Sequence, residues 1–217
     1  ENQLSGLLLK INENEVWTRL IGTFNAYNLV AIYGVAVELG LDSLEVLRLL
    51  SELESVSGRF QFIVSNEKIT AIVDYAHTPD ALENVLSTIN DIRTKNEQLI
   101  TVVGCGGDRD KTKRPVMADI ASTMSDKIVI TSDNPRTEDP KTIISEMESG
   151  VAPHNYKKMI SIEDRFQAIK TACQLANPKD IILIAGKGHE TYQEVNGVKH
   201  DFDDMQIVKE ILTQLNK

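Results

Sequence analysis

Four polar clusters in this chain carry residue types suited to gripping a small charged ligand. The most distinctive is Asp133-Asn134-Pro135-Arg136, which follows the apolar run 127–132. Such a run reads as a buried parallel strand. The tetrapeptide therefore lies past a strand's carboxyl end, the edge at which open α/β sheets bind ligands. Pro135 removes a backbone donor and stiffens the loop. Arg136 offers a planar fork of donors that fits a carboxylate. Alone, the tetrapeptide fits an ordinary turn with a surface arginine equally well; Thr137, Glu138 and Asp139 extend it.

The other three clusters also follow apolar runs. Asp74-Tyr75-Ala76-His77-Thr78-Pro79 offers Asp74 to ribose hydroxyls and His77 to a phosphate or to the order of its own loop. Capping and padding of a helix start explain both residues as well, and for His77 alone that is the preferred reading. Residues 104–115 combine glycines, which allow backbone to approach a ligand, with Arg109, Lys111, Lys113 and Arg114. The glycine spacing is not a dinucleotide fingerprint, and no Gly-Lys-Ser/Thr makes it a Walker A loop. Gly186-Lys187-Gly188-His189-Glu190 pairs close backbone approach with a carboxylate, Glu190, that can receive an ammonium group. An arginine for a carboxylate and a glutamate for an amine together complement an amino acid, although any charged site contains both signs. The histidines are too scattered to argue for a metal.

The elements that must position these clusters alternate in the α/β manner from residue 60 onward. Runs 60–64 and 69–75 flank Ser65-Asn66-Glu67-Lys68 as a hairpin. Thr78 is a good N-cap with Pro79 at the first helical position, opening a helix toward residue 95. Strands follow at 99–104, 127–132, 159–160 and 180–185, and helices at 115–124, 140–150 and 203–215. Ser161 with Asp164 resembles a capping box for a helix to residue 176. Asn196-Gly197 signals a type I′ hairpin. The first stretch differs: residues 4–18 read as β structure, and 25–39 and 44–53 as helices. Ser57-Gly58 then punctuates the chain. Under sixty residues make a poor independent core, so this stretch is expected to be the tail of a larger domain.

With 217 residues, the chain has room for one large domain or one domain and a piece of another. Its 41% hydrophobic and 25% charged content is ordinary for a globular protein. A net charge of −9 argues against nucleic-acid binding through the whole surface. No apolar run is long enough to cross a membrane, and no signal peptide or initiator Met opens the chain. Cys105 and Cys173 form neither a disulfide framework nor a zinc motif and fit a reducing cytoplasm.

The four clusters, in this order, resemble the blocks of the carboxyl-terminal part of the Mur ligase family. Residues 74–82, 104–115, 133–136 and 186–193 carry the resemblance, and Gly22-Thr23-Phe24-Asn25-Ala26-Tyr27-Asn28 resembles the end of that family's central ATPase domain. The resemblance implies a Rossmann-like α/β fold with a mainly parallel sheet flanked by helices. It divides the chain into an ATPase remnant at 1–57 and an amino-acid-binding domain at 58–217. It implies ATP and Mg²⁺ as cofactors of the intact enzyme, and a reaction in which the carboxyl of UDP-MurNAc-L-Ala-D-Glu becomes an acyl phosphate attacked by an incoming amine. The Asp-Asn-Pro-Arg block marks the members that add meso-diaminopimelate, whose second centre bears a carboxylate that lysine lacks. An Arg136 left without that partner penalises lysine by about 3–5 kcal/mol if fully buried, and less if water reaches it.

By the same resemblance, the amino-acid ligands are Arg109, Asp133, Asn134, Pro135, Arg136, Gly186 and Glu190, the last for the distal ammonium. Asn28 lies near adenine, Arg59 near the phosphates and Asp74 at the ribose. His77 orders its block, and no residue here is a metal ligand or a direct catalyst. The family's Walker A loop, carbamylated lysine and uridine-binding domain have no counterpart in this sequence, so the chain is expected not to ligate alone. A cytoplasmic monomer is expected, with no nucleic-acid or membrane partner. The competing readings are a lysine-adding Mur ligase, a folylpolyglutamate-synthetase-like ligase and a noncatalytic amino-acid-binding module.

Overall fold

A computed structural model describes residues 1–3 and 6–217. Residues 4 and 5 of the expected β stretch lie outside the described residues. The chain divides into two compact units, Glu1–Val56 with Thr88–Arg93 and Ser57–Ser87 with Thr94–Lys217.

In the first unit, β1 (Asn2–Gln3), β2 (Gly6–Ile11) and β3 (Asn14–Thr18) form an antiparallel sheet. Asn12 and Glu13, both at positive φ, make the tight turn between β2 and β3, as the right-handed strand twist favours. Two helices follow, α1 (Thr23–Glu38) and α2 (Ser43–Glu52). The Asp42 carboxylate caps α2 by accepting from Glu45 N at 3.0 Å. Ile11, Val16, Leu29, Tyr33, Val46, Leu47 and Leu50 close the core. Helix α1 is apolar on nearly every face, and Tyr27 (77%) and Leu39 (79%) stay exposed.

The second unit holds β4 (Gln61–Val64), β5 (Thr70–Asp74), the part of α3 (Pro79–Ile92) up to Ser87, β6 (Leu99–Cys105), α4 (Lys113–Met124), β7 (Lys127–Ser132), α5 (Pro140–Glu148), a 3-10 turn (Pro153–Lys158), β8 (Met159–Ser161), α6 (Arg165–Leu175), β9 (Ile181–Ala185), β10 (Tyr192–Val195), β11 (Val198–Asp201) and α7 (Asp204–Gln214). Its main sheet has the order β4-β5-β9-β6-β7-β8. Only β4 is antiparallel; β5, β9, β6, β7 and β8 run parallel. Strands β5, β6 and β9 are buried along their whole lengths, the signature of a parallel sheet covered on both faces. Helices α6 and α7 cover one face through Ala168, Ile169, Ala172, Cys173, Val208, Ile211 and Leu212. The fold expected from sequence is therefore present: a mainly parallel α/β sheet with one antiparallel edge.

Three local expectations shift. The N-cap of α6 is Asp164, whose carboxylate accepts from Gln167 N at 2.8 Å; Ser161 instead ends β8 and bonds the Glu148 carboxylate. Helix α4 begins at Lys113, ahead of Pro115, and α3 stops at Ile92. The Asn196-Gly197 turn stands as expected, with φ of 50° and 77° joining β10 to β11.

Candidate functional site

Strands β5, β6, β7 and β9 all end at one edge of the sheet, and the four polar clusters emerge there because each follows one of these strands. A cavity of about 590 Å³ opens at this edge. Its wall includes Arg109, Asp133, Asn134, Arg136, Gly186 and Glu190, together with His77. Pro135, Arg59, Asp74 and Asn28 are not among the lining residues.

The loop 133–136 is held from three directions. Asn134 N donates to Asp133 Oδ1 at 2.7 Å, and Gly107 N donates to Asn134 O at 2.9 Å. Arg136 takes a left-handed φ of 53°; its Nη1 donates to Gly107 O at 2.7 Å and its Nε lies 3.7 Å from Glu194 Oε2. The β10–β11 hairpin docks on the same loop. Arg136 N donates to Glu194 O at 3.1 Å, Asn196 N to Arg136 O at 2.7 Å and Gln193 Nε2 to Asp133 O at 2.7 Å. Arg136 is thus neither fully buried nor unpartnered: its side chain is 21% exposed. The penalty of about 3–5 kcal/mol reasoned for a buried orphan does not apply to it. Glu190 Oε2 accepts from Asn134 Nδ2 at 2.7 Å and from Lys187 Nζ at 3.3 Å.

A second network stitches loop 105–112 to loop 133–139. Glu138 accepts from Asp108 N at 2.6 Å and from Arg114 Nη1 and Nη2 at 3.0 and 2.9 Å, while Asp108 accepts from Thr137 N and Oγ1. Arg114 is fully buried and also reaches Glu146 Oε2 at 2.6 Å. Hydrogen bonding from Arg114, then from Asp108 N and Lys111, lowers the Glu138 carboxyl from 4.5 to about 2. A depressed carboxylate stabilises above its unfolded pKa and loses that contribution as pH falls toward its folded one. The midpoint of thermal unfolding should accordingly decline between about pH 4.5 and pH 2 more steeply in the unaltered chain than in Glu138→Gln. Equal acid slopes in the two proteins would remove Glu138 from this role.

Beneath the site lies an ion pair with no exposed side-chain surface. Arg165 donates through Nε and Nη2 to Asp204 Oδ1 and Oδ2 at 2.9 and 2.7 Å, and also reaches Ala185 O at 3.2 Å and Ser132 O at 3.4 Å. These carbonyls are the last of β9 and β7.

The residues assigned to a nucleotide have their own surroundings. Asp74 is buried and accepts from Phe60 N at 2.7 Å; burial raises its pKa against the pull of that bond and of the Arg59 charge. Arg59 lies 4.8 Å over the Tyr75 ring, which also packs 4.5 Å from the His77 ring. His77 Nδ1 is 2.9 Å from Tyr75 O, and Lys113 Nζ donates to His77 O at 2.7 Å. Asn28, exposed on α1, makes a 3.4 Å bond to Asn25 Oδ1. Burial pushes the Cys105 thiol, at the end of β6, up to about 12, which makes it a poor nucleophile. Among the described residues no group of three or more His, Cys, Asp or Glu is placed to hold a metal ion.

The family model described as Mur ligase, glutamate ligase domain, matches residues 58–188. The chain belongs to the Mur ligase family. Among curated Mur ligases, the UDP-N-acetylmuramoyl-L-alanyl-D-glutamate--2,6-diaminopimelate ligase of Cytophaga hutchinsonii is 58% identical over 99% of this chain, and its namesake in Bacillus velezensis is 46% identical over 94%. These matches cover 44% and 40% of the relatives' own lengths, so the chain spans less than half of them. A solved structure of a ligase with that name superposes with a TM-score of 0.75 at 40% identity, covering all of this chain and 45% of that one. A folylpolyglutamate synthase from Thermotoga maritima, at a TM-score of 0.66 and 19% identity, shares the fold.

Six of the seven residues assigned from sequence to the amino acid line this cavity, all but Pro135; the contacts that support them were missed. Lys187 was visible between two glycines; the roles of Arg165, Asp204 and Glu194 had no local signal.

Proposed function

We propose that this chain is the amino-acid-binding part of an ATP-dependent Mur ligase that adds meso-diaminopimelate to UDP-MurNAc-L-Ala-D-Glu. The carrying observation is the single cavity whose wall gathers Arg109, Arg136, Asp133, Asn134, Gly186 and Glu190. Diaminopimelate ends in an ammonium and a carboxylate on one carbon. Arg136, with Arg109 nearby, takes that carboxylate, and Glu190 takes the ammonium. Gly186 keeps the wall open, since a Cβ there would stand 2.7 Å from Asp133 Oδ2. The work of these residues is to hold the substrate so that its free amine meets the acyl phosphate at a fixed distance and angle.

The nucleotide assignment of Asn28, Arg59 and Asp74 belongs to the same proposal. Its support is their motif and, for Arg59, an exposed cation beside Tyr75. His77 is proposed to order that loop, and its bond to Tyr75 O supports this. We also infer that residues 1–57 form part of a larger ATPase domain that covers the apolar α1. The exposure of Tyr27, Val35 and Leu39 supports that reading. No described helix is long and apolar enough to cross a membrane; a cytoplasmic monomer that binds no nucleic acid is proposed.

Calorimetric titration of the chain with meso-diaminopimelate and with L-lysine tests the reading. Diaminopimelate should bind and lysine should bind less tightly. A hydrogen bond to a charged group contributes about 1.5–3 kcal/mol. Arg136→Ala should therefore weaken diaminopimelate about 10- to 100-fold and leave lysine unchanged. An unaltered preference in that variant would take the carboxylate away from Arg136.

A further inference from the structure

Lys187 is fully buried, although lysine rarely is unless paired. Gly186 at φ 118° and Gly188 at φ 53° flank it. Its Nζ donates to Asn134 Oδ1 at 3.0 Å and to Glu190 Oε2 at 3.3 Å, and lies 5.4 Å from the centre of the Tyr192 ring. Asn134 Oδ1 also accepts from Glu194 N at 2.9 Å. Two donors on that oxygen fix which way the Asn134 amide points. Its Nδ2 therefore donates to Glu190 Oε2 at 2.7 Å. Glu190 Oε2 is then saturated by two donors, and Oε1 takes no hydrogen bond from a described residue.

We propose that Lys187 is a positioning residue that locks Asn134 and Glu190 together so that Glu190 Oε1 is the oxygen left for a ligand's ammonium group. For the identity of the ligand, this rests on the amino-acid reading above; for the geometry, it does not. A compact ammonium on a flexible stem can divide its donors between two acceptors in a closed space. The neutral thioether of Lys187→Met fills similar volume and donates to neither.

Side-chain hydrogen exchange measured by nitrogen-15 NMR tests the lock without any ligand. In Lys187→Met the Asn134 side-chain amide should exchange at least tenfold faster, with backbone amides 182–185 unchanged. An unchanged Asn134 rate in that folded variant overturns the proposal. On the unaltered chain, the Lys187 ammonium protons should exchange at least tenfold more slowly than those of exposed Lys157; equal rates overturn it even if Lys187→Met does not fold. In calorimetry, the variant should bind meso-diaminopimelate at least tenfold more weakly, a loss that a purely structural lysine would not cause while the sheet stays protected. An unchanged affinity overturns the proposal. If the unaltered chain binds no diaminopimelate, the ligand reading fails, and the two exchange measurements still decide whether Lys187 holds the pair.

Discussion

Gly107→Ala is expected to weaken meso-diaminopimelate binding about a hundredfold while the sheet stays folded. Gly107 stands where the loop after β6 touches the loop after β7. A Cβ there would lie 1.9 Å from Pro135 O and 2.7 Å from its carbonyl carbon. Carbon and carbonyl oxygen approach no closer than about 3.3 Å even in favourable contacts. The obstacle is backbone, so no side chain can rotate out of the way and the two loops must separate by more than about 1 Å. That separation strains both bonds that Gly107 makes, Gly107 N to Asn134 O and Arg136 Nη1 to Gly107 O. Asn134 and Arg136 then move together, and losing a charged hydrogen bond to the ligand, at about 1.5–3 kcal/mol, amounts at its upper end to about a hundredfold. Calorimetry reads the affinity, and amide protection in β6 and β7 shows that the variant has folded. A folded Gly107→Ala that binds as tightly as the unaltered chain would mean that the loop contact does not set the site.

That contact illustrates what the sequence could and could not tell. Strands 127–132 and 180–185 were legible because strands buried on both faces read as unbroken apolar runs. The clusters that follow them were legible as neighbours because a parallel sheet delivers every such loop to one edge. The α6 cap was misplaced because Ser161 and Asp164 are both good capping residues three positions apart. The choice between them is made by β8, whose pairing with β7 draws Ser161 into a strand beside Ile130. The contacts that hold the site were invisible for a different reason. Arg136 meets Gly107 across 29 positions, and Lys187 meets Asn134 across 53. No local pattern encodes such a meeting. Arg136 therefore read only as a donor to a ligand carboxylate, and its contacts with Gly107 O and Glu194 went unseen.

The least legible element, the Arg165–Asp204 pair, carries the largest expected effect on stability. Arg165→Ala leaves a buried Asp204 carboxylate without its counter-ion, which costs about 3–5 kcal/mol. At about 2–4 °C per kcal/mol for a unit of this size, unfolding should fall by on the order of 10 °C. Urea unfolding followed through the β9 amides gives the free energy, and a loss under about 1 kcal/mol would count against this account. The double variant Arg165→Met with Asp204→Leu separates the pair's two roles. Apolar replacements of similar volume often match or exceed a buried ion pair, so stability should return. The carbonyls of Ser132 and Ala185 nevertheless lose the guanidinium that bonds them both. Those residues immediately precede Asp133 and Gly186, so the bases of the two loops facing the cavity are no longer tied to one rigid group. The double variant should therefore fold as well as the unaltered chain and still bind diaminopimelate more weakly. Full recovery of affinity would confine the pair to folding and leave the spacing of the two loops to the sheet alone.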